Sequence, residues 1–269
     1  MFAKLLKYER KATAPLLGLL SLICIITATL CGVSMVLSKI SWESPVMAAL
    51  VRVALGLAYA IFFISIIAYG LGATLLVLYR FYKNKFTDEG YLTFTLPVKS
   101  SQLFLSSLLN LMFWQIVSFF VISISFLLLF WIGGYLPDAL KVFPQVIRSF
   151  REVFSSREVL VSLLIALPTG LITWVFGCVI SMTCIVLGAS WAKKHKLLLA
   201  FALYYGLSCV LQFVLTIAYV VLIFALSGIQ DSVTFLYLLI GATGLFYLLL
   251  TTGAYCLSIH MMNRKLRLP

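Results

Sequence analysis

The sequence predicts an all-α membrane protein with six transmembrane helices and with both termini in the cytoplasm. Hydrophobic residues make up 63% of the 269-residue chain, charged residues only 10%, and the mean hydropathy is +1.13. Soluble domains contain about 45–50% apolar and about 25% charged residues, so we expect a bilayer to cover this apolar surface. Apolar runs long enough to cross a bilayer occur six times, and the basic residues are concentrated at one set of their ends.

Each apolar run is interpreted as one span, because a crossing needs about 20 residues. The first run is too long for the apolar core of a signal peptide, so we expect it to remain as an anchor. The second to fifth runs exceed one crossing and must tilt, kink or project. The fourth contains Pro168 and Gly170, which favour a kink or break. The spans, which form a single transmembrane domain over residues 1–269, are 14–37, 46–79, 103–132, 159–190, 197–227 and 233–259.

The distribution of basic residues predicts the orientation of the spans. Fourteen of the 20 Lys and Arg residues lie in the N-terminal segment, the second and fourth loops and the C-terminal segment, all on one side. Cytoplasmic loops carry an excess of Lys and Arg, so both termini are predicted to be cytoplasmic. The net charge of +12 is therefore interpreted as topology. No nucleic-acid partner is expected.

The longest predicted external segment, residues 133–158, follows the third span. Val146 and Phe150 share a helical face, whereas Arg148 and Arg151 lie elsewhere on the helix. This amphipathic pattern fits a helix that lies on the outer leaflet. A loop that caps the helical bundle is the other interpretation, and both remain open.

The second predicted cytoplasmic loop, Arg80 to Gln102, contains signals for a short helix. Thr87 can cap its N-terminus, and Asp88 and Glu89 then complement the helix dipole in the first turn. Pro97 ends the helix, because proline disfavours the helical conformation of the preceding residue. A helix of about eight residues is marginal by itself, so it needs a surface to pack against.

The apolar residues of this short helix leave two interpretations open. Tyr91, Leu92, Phe94 and Leu96 offer an apolar contact set that water would otherwise surround. They either form an elbow at the membrane interface, packed under the bundle, or they dock onto another protein.

The sequence lacks the motifs of the common catalytic and metal sites. It contains no nucleotide-binding G-x-x-x-x-G-K-[ST] loop, no H-E-x-x-H, no C-x-x-C and no G-x-S-x-G. The six cysteines all fall in apolar stretches, so we expect buried thiols and no disulfide. We therefore expect that the chain is not an enzyme and binds no metal or cofactor.

Polar uncharged residues within the spans have two interpretations. Asn110, Gln115 and Gln212 either form hydrogen bonds between helices or line a transport path. All eight acidic residues lie in loops or at span edges, which argues against an ion-coupled carrier.

Two segments resemble permease subunits of bacterial ABC-2-type transporters. The run FTDEGYLTFTLPVKSSQL, residues 86–103, is similar to the cytoplasmic loop of that family. The beginning, MFAKLLKYERKATAP, resembles the helix that leads into its first span. Six spans with both ends inside also match the family. One feature differs, since many exporters of this family place re-entrant helices between spans five and six, and here that connection is only about residues 227–232.

The resemblance implies a subunit of a larger complex in the plasma membrane of a bacterium. Such permeases pair as homo- or heterodimers, and each binds a cytoplasmic ATPase subunit that holds ATP and magnesium. The loop between spans two and three contains a coupling helix that enters a cleft of the ATPase. That role falls here on Thr87, Asp88, Glu89, Gly90, Tyr91, Leu92, Thr93, Leu96 and Pro97. The N-terminal helix would lie along the membrane, near lipid head groups, with Phe2, Lys4, Leu5, Leu6, Lys7 and Arg10.

The function that these features favour is that of the membrane subunit of an ATP-driven exporter. We expect its cargo to be an amphipathic peptide, an antibiotic or a lipid. A membrane sensor or immunity subunit that transports nothing is the first alternative. An ATPase-independent carrier or channel is the second.

Overall fold

The computed structural model of the chain is helical throughout the part that it describes, residues 2–87, 90, 98–192, 195–225 and 232–264. Within these ranges there are seven helices and no strand. The helices are α1 (Phe2–Ser38), α2 (Pro45–Phe86), α3 (Ser100–Ile132), α4 (Leu136–Ser155), α5 (Arg157–Trp191), α6 (Lys196–Ala225) and α7 (Ser232–Arg264).

Among the described residues, six helices are long and apolar enough to cross a membrane, namely every helix except α4. This confirms the prediction of an all-α protein with six candidate spans. Helices are expected here because a bilayer offers no hydrogen-bond partners to exposed backbone groups. The cytoplasmic position of the termini stays a prediction.

The helices extend beyond most of the predicted apolar runs. The helix α1 begins at Phe2, so residues 2–13 are its first turns rather than a helix of their own. Pro168 lies inside α5, which continues through it, so the chain is not broken there. The helix α2, with 42 residues, is the longest of the seven described helices.

The chain divides into two compact units, which are described separately. The first, the α1–α3 unit, comprises residues 2–77 and 109–150, and the second, the α5–α7 unit, comprises residues 78–108 and 151–269. The prediction of a single transmembrane domain stays a prediction.

The core of the α1–α3 unit is apolar and closely packed. Ala28, Cys31, Phe62 and Leu129 form a buried cluster, and the rings of Phe62 and Phe126 meet edge to face at 5.5 Å. Small residues let the helices approach. A Cβ added at Gly32, for example, would lie 2.9 Å from the Cβ of Ile132 on α3.

The core of the α5–α7 unit is centred on α5. Phe176, Ile180 and Cys184 are buried there, and the Phe176 ring packs against the Tyr247 ring of α7 at 5.1 Å. Residues of α6 and α7 complete the cluster, namely Leu203, Tyr204, Leu207, Leu211, Leu250 and Ala254.

Candidate functional site at the ends of α2 and α3

The candidate site is the base of the loop that the resemblance assigns to ATPase docking. Asp88, Glu89 and residues 91–97 lie outside the described residues, so their predicted roles stay predictions. Thr87 and Gly90 are described, as are the helix ends on both sides, α2 to Phe86 and α3 from Ser100. All of these flanking residues belong to the α5–α7 unit.

Thr87 closes the end of α2. Its hydroxyl donates a 2.5 Å hydrogen bond to the carbonyl of Lys83, one turn back in the helix. The last carbonyls of a helix have no partner within it, so this bond stabilises the terminus. The buried Gly90 donates its N–H to the carbonyl of Thr87 at 2.7 Å. The hydroxyl hydrogen of Thr87 thus bonds to the helix that precedes the loop, and its predicted role as the cap of the helix that follows stays a prediction.

Lys85 is the central polar residue of the site. It is only 1% exposed, although it lies in the last turn of α2. Its ammonium donates a 2.6 Å hydrogen bond to the carbonyl of Leu103 on α3, and another to the hydroxyl of Ser107. It also lies 4.9 Å from the centroid of the Phe81 ring, within the range of a cation–π interaction. A buried cation near a helix C-terminus also complements the helix dipole.

Four aromatic rings connect the helix ends beside this lysine. Phe81 contacts Phe86 at 5.6 Å and Phe104 of α3 at 6.1 Å, both edge to face. Phe104 in turn meets Tyr255 of α7 at 5.7 Å. Such geometry is favourable beyond the area that the rings bury. The rings therefore link α2, α3 and α7.

A buried hydroxyl pair ties α7 to α5 near the same end. Ser258 donates a 2.9 Å hydrogen bond to the hydroxyl of Thr183 on α5, and both side chains are buried. The Thr183 hydroxyl donates to the carbonyl of Val179 at 2.7 Å. Because every hydroxyl here has a partner, the contact costs little desolvation free energy.

The burial of Lys85, the aromatic contacts and the hydroxyl pair were not predicted from the sequence. In the sequence, Lys85 is one of the basic residues that predict topology. The only signal was the four-residue spacing of Phe81 and Lys85, which places both on one face of α2. Their partners on α3 and α7 are distant in the sequence.

The three candidates for a path lining have different surroundings. Asn110 is 3% exposed, and its Oδ1 has no hydrogen-bond partner among the described residues. Gln115 is half-buried, with its Nε2 3.5 Å from the hydroxyl of Thr74. Gln212 is exposed on α6. Asn110 and Gln115 belong to the α1–α3 unit and Gln212 to the α5–α7 unit, and a path lined by all three stays a prediction.

The N-terminal residues also differ from one another. Lys4 and Lys7 are exposed, and Phe2, Leu5 and Leu6 are half-buried. The predicted position of these residues along the lipid head groups stays a prediction. The Arg10 guanidinium instead lies 5.1 Å from the centroid of the Phe113 ring. One turn later, Thr13 accepts a 2.8 Å hydrogen bond from the Trp114 indole. The beginning of α1 is therefore packed against α3 within its own unit.

Comparisons with family models, with curated proteins and with solved structures found no match to this chain. The arrangement at the ends of α2 and α3 consists of contacts that hold the two helix ends together. Among the described residues, no three His, Cys, Asp or Glu side chains are grouped to hold a metal ion. The described contacts attach both ends of one loop to neighbouring helices.

Proposed function

We propose that this chain is the permease subunit of an ABC-2-type ATP-driven exporter and that its 86–97 loop docks a separate ATPase. In this proposal the protein lies in a bacterial plasma membrane and pairs with a second permease subunit. ATP and magnesium are bound by the ATPase partner. The cargo is an amphipathic peptide, an antibiotic or a lipid.

The observation that carries the proposal is the attachment of both loop ends to the same group of helices. The buried Lys85 joins the last turn of α2 to the first turns of α3. The aromatic contacts of Phe81, Phe104 and Tyr255 extend this connection to α7. A loop that only covers the bundle does not require a buried cation at its base, whose burial costs desolvation free energy.

These contacts suit a loop that transmits a displacement of the ATPase to the helices. When two ATPase subunits close on ATP, they displace whatever is docked in their clefts. The ends of α2 and α3 are joined by hydrogen bonds and contact α7 through aromatic rings. In this proposal a displacement of the loop therefore moves these helices together as a rigid body. Rocking of helices in two paired permeases then alternates access to the cargo path.

The test is affinity purification of the tagged chain from its native membranes, with identification of the co-purified proteins and an ATPase assay. The informative variant carries Asp88→Lys and Glu89→Lys in the docking loop. The matched control is Glu43→Lys, which reverses an exposed acidic residue in the α1–α2 connection, on the predicted external side. We expect an ATPase to accompany the wild type and the control and to be lost from the double variant.

Two results would contradict the proposal. If the wild-type chain purifies without an ATPase, the sensor and carrier hypotheses are favoured over the exporter. If the double variant, or a chain without residues 88–93, retains the ATPase and its activity, the loop is not the docking element. Equal expression of all variants in the membrane is the control for folding.

A further inference from the structure

The helix α4 separates apolar and polar residues onto opposite faces over its whole length. Its Cβ positions repeat every 3.6 residues, which places the bulky apolar side chains along one stripe. The polar and charged residues occupy the other side. The stripe consists of Leu140, Phe143, Val146, Ile147, Phe150, Val153 and Phe154.

All residues of the apolar stripe are exposed. All residues of α4 are described, and none of them is buried. Phe143 and Phe150 are 57% and 58% exposed. An apolar face of this size in contact with water is unfavourable, so its exposed surface requires a cover in addition to the contacts that it makes within the chain.

Short connections hold α4 close to the ends of two membrane spans. Only residues 133–135 separate it from α3, and only Ser156, in an extended conformation, separates it from α5. Twenty residues of helix measure about 30 Å. A one-residue connection cannot return the chain over that length, so the end of α4 and the beginning of α5 lie at the same level.

Contacts at the beginning of α4 mark the level of the membrane surface. The Lys39 ammonium lies 3.8 Å from the centroid of the Tyr135 ring and donates a 2.6 Å hydrogen bond to the Gly133 carbonyl. Gly134 turns the chain here with φ of +71°, which favours glycine. Trp131, in the last turn of α3, is 64% exposed. Trp, Tyr and Lys are the residues that anchor spans at the interface between lipid and water.

The charges of α4 complement lipid phosphates. Lys141 is bonded to Asp138 at 2.9 Å. Arg148 and Arg151 are exposed, and neither forms an ion pair with any residue that the structure describes. Both lie on the polar side of the stripe, where long basic side chains reach head groups while the apolar stripe enters the acyl region.

We infer that α4 is a membrane-surface helix whose apolar stripe is covered by lipid, with Arg148 and Arg151 bound to lipid phosphates. The partner is thus the leaflet at the end of α3, from which the chain continues into α4. This inference is independent of the proposed exporter function, because it rests on α4 and its connections alone.

Site-directed spin labelling of the full-length chain in phosphatidylethanolamine–phosphatidylglycerol vesicles tests this inference. Labels at Val146→Cys and Phe150→Cys report on the stripe. Labels at Gln145→Cys and Glu152→Cys, on the opposite face, are matched controls. The chain without an added cysteine gives the background, since its six native cysteines all lie in membrane-spanning helices.

We expect the stripe labels to collide readily with oxygen and poorly with a water-soluble nickel complex, at a depth of about 5–10 Å below the head groups. The control labels should show the opposite pattern. Low collision rates with both reagents at the stripe would show that protein covers it, as in contact with a second copy, and would overturn the inference. High nickel accessibility would place the stripe in water and overturn it as well.

Charge reversal tests the phosphate contacts separately. Arg148→Glu with Arg151→Glu should move the Phe150→Cys label outward in vesicles that contain phosphatidylglycerol, because two anions then face the lipid phosphates. An unchanged depth would overturn the assignment of these arginines to phosphate.

Discussion

The ammonium of Lys85 donates a 2.6 Å hydrogen bond to the carbonyl of Leu103, across the loop that separates α2 from α3. A single charged side chain thus closes the base of this loop, and it does so with only 1% of its surface exposed. Charged groups are rarely buried unless they are hydrogen-bonded. The cost of burying Lys85 is therefore offset by bonds that exist only when the two helix ends are together.

Loss of this side chain should separate the helix ends. Lys85→Ala is expected to lower the free energy of unfolding by about 1.5–3 kcal/mol, the range for hydrogen bonds that involve a charged group. Lys99→Ala is the matched control, since it removes the same charge at an exposed position on the other side of the loop. Denaturant unfolding in detergent micelles measures the difference. Equal stability of the two variants would show that the buried bonds contribute nothing.

The contact between α1 and α3 can be tested by removing one hydroxyl group. Thr13→Val keeps the shape of the side chain but leaves the buried indole N–H of Trp114 without its acceptor. We expect a loss of about 0.6–2 kcal/mol, as for hydrogen bonds between membrane helices. Thr29→Val is the control, because the Thr29 hydroxyl bonds only within α1, to Ile26. Thermal unfolding compares them, and a larger effect at Thr29 would contradict the role of the Trp114 bond.

The orientation of the chain is tested by reporter fusions. Alkaline phosphatase is active only outside the cytoplasm, so its insertion after Glu43 or Gln145 should give active enzyme. Fusion after Asn263 should give inactive phosphatase and a fluorescent protein that matures normally. These outcomes follow from the excess of basic residues on the side of the termini. Active phosphatase at the C-terminal position would reverse the predicted topology and place the 86–97 loop outside.

The spans were predictable because their cause is local in the sequence. A run of apolar residues in a bilayer has to be helical, and the predicted run 103–132 differs from the observed helix Ser100–Ile132 by only three residues. The beginning of α1 shows the limit of this reasoning. The hydropathy of the sequence predicts that the bilayer begins near residue 14, whereas the helix begins at Phe2. The helix extends this far because polar residues are also good helix formers.

The packing at the loop base was not predictable because its causes are distant in the sequence. In the sequence, Lys85 looks like any other basic residue of a cytoplasmic loop. Only the positions of Leu103 and Ser107 in the structure show that it is buried. The link from Phe104 to Tyr255 likewise joins residues on α3 and α7. Periodicity identifies the faces of helices, but it does not identify which faces meet.

The close approach of α5 and α6 provides the sharpest steric test. A Cβ at Gly188 would lie 2.8 Å from the backbone nitrogen of Ala200 and 2.8 Å from the carbonyl oxygen of Lys196. Because both atoms belong to backbone, they cannot rotate away, and the helices must separate. Overpacking of this kind costs about 1–3 kcal/mol, so Gly188→Ala should lower the unfolding midpoint.

Gly177→Ala is the matched control for that substitution. Gly177 lies on the same helix, and apart from the adjacent residues and backbone of that helix no atom lies within 4 Å of the position of its added Cβ. Alanine in a helix is favoured over glycine by about 0.5–1 kcal/mol, so this variant should be as stable as the wild type or more so. Thermal unfolding of the two variants in the same detergent decides the point. If Gly188→Ala is as stable as Gly177→Ala, the close contact between α5 and α6 does not exist in the folded protein.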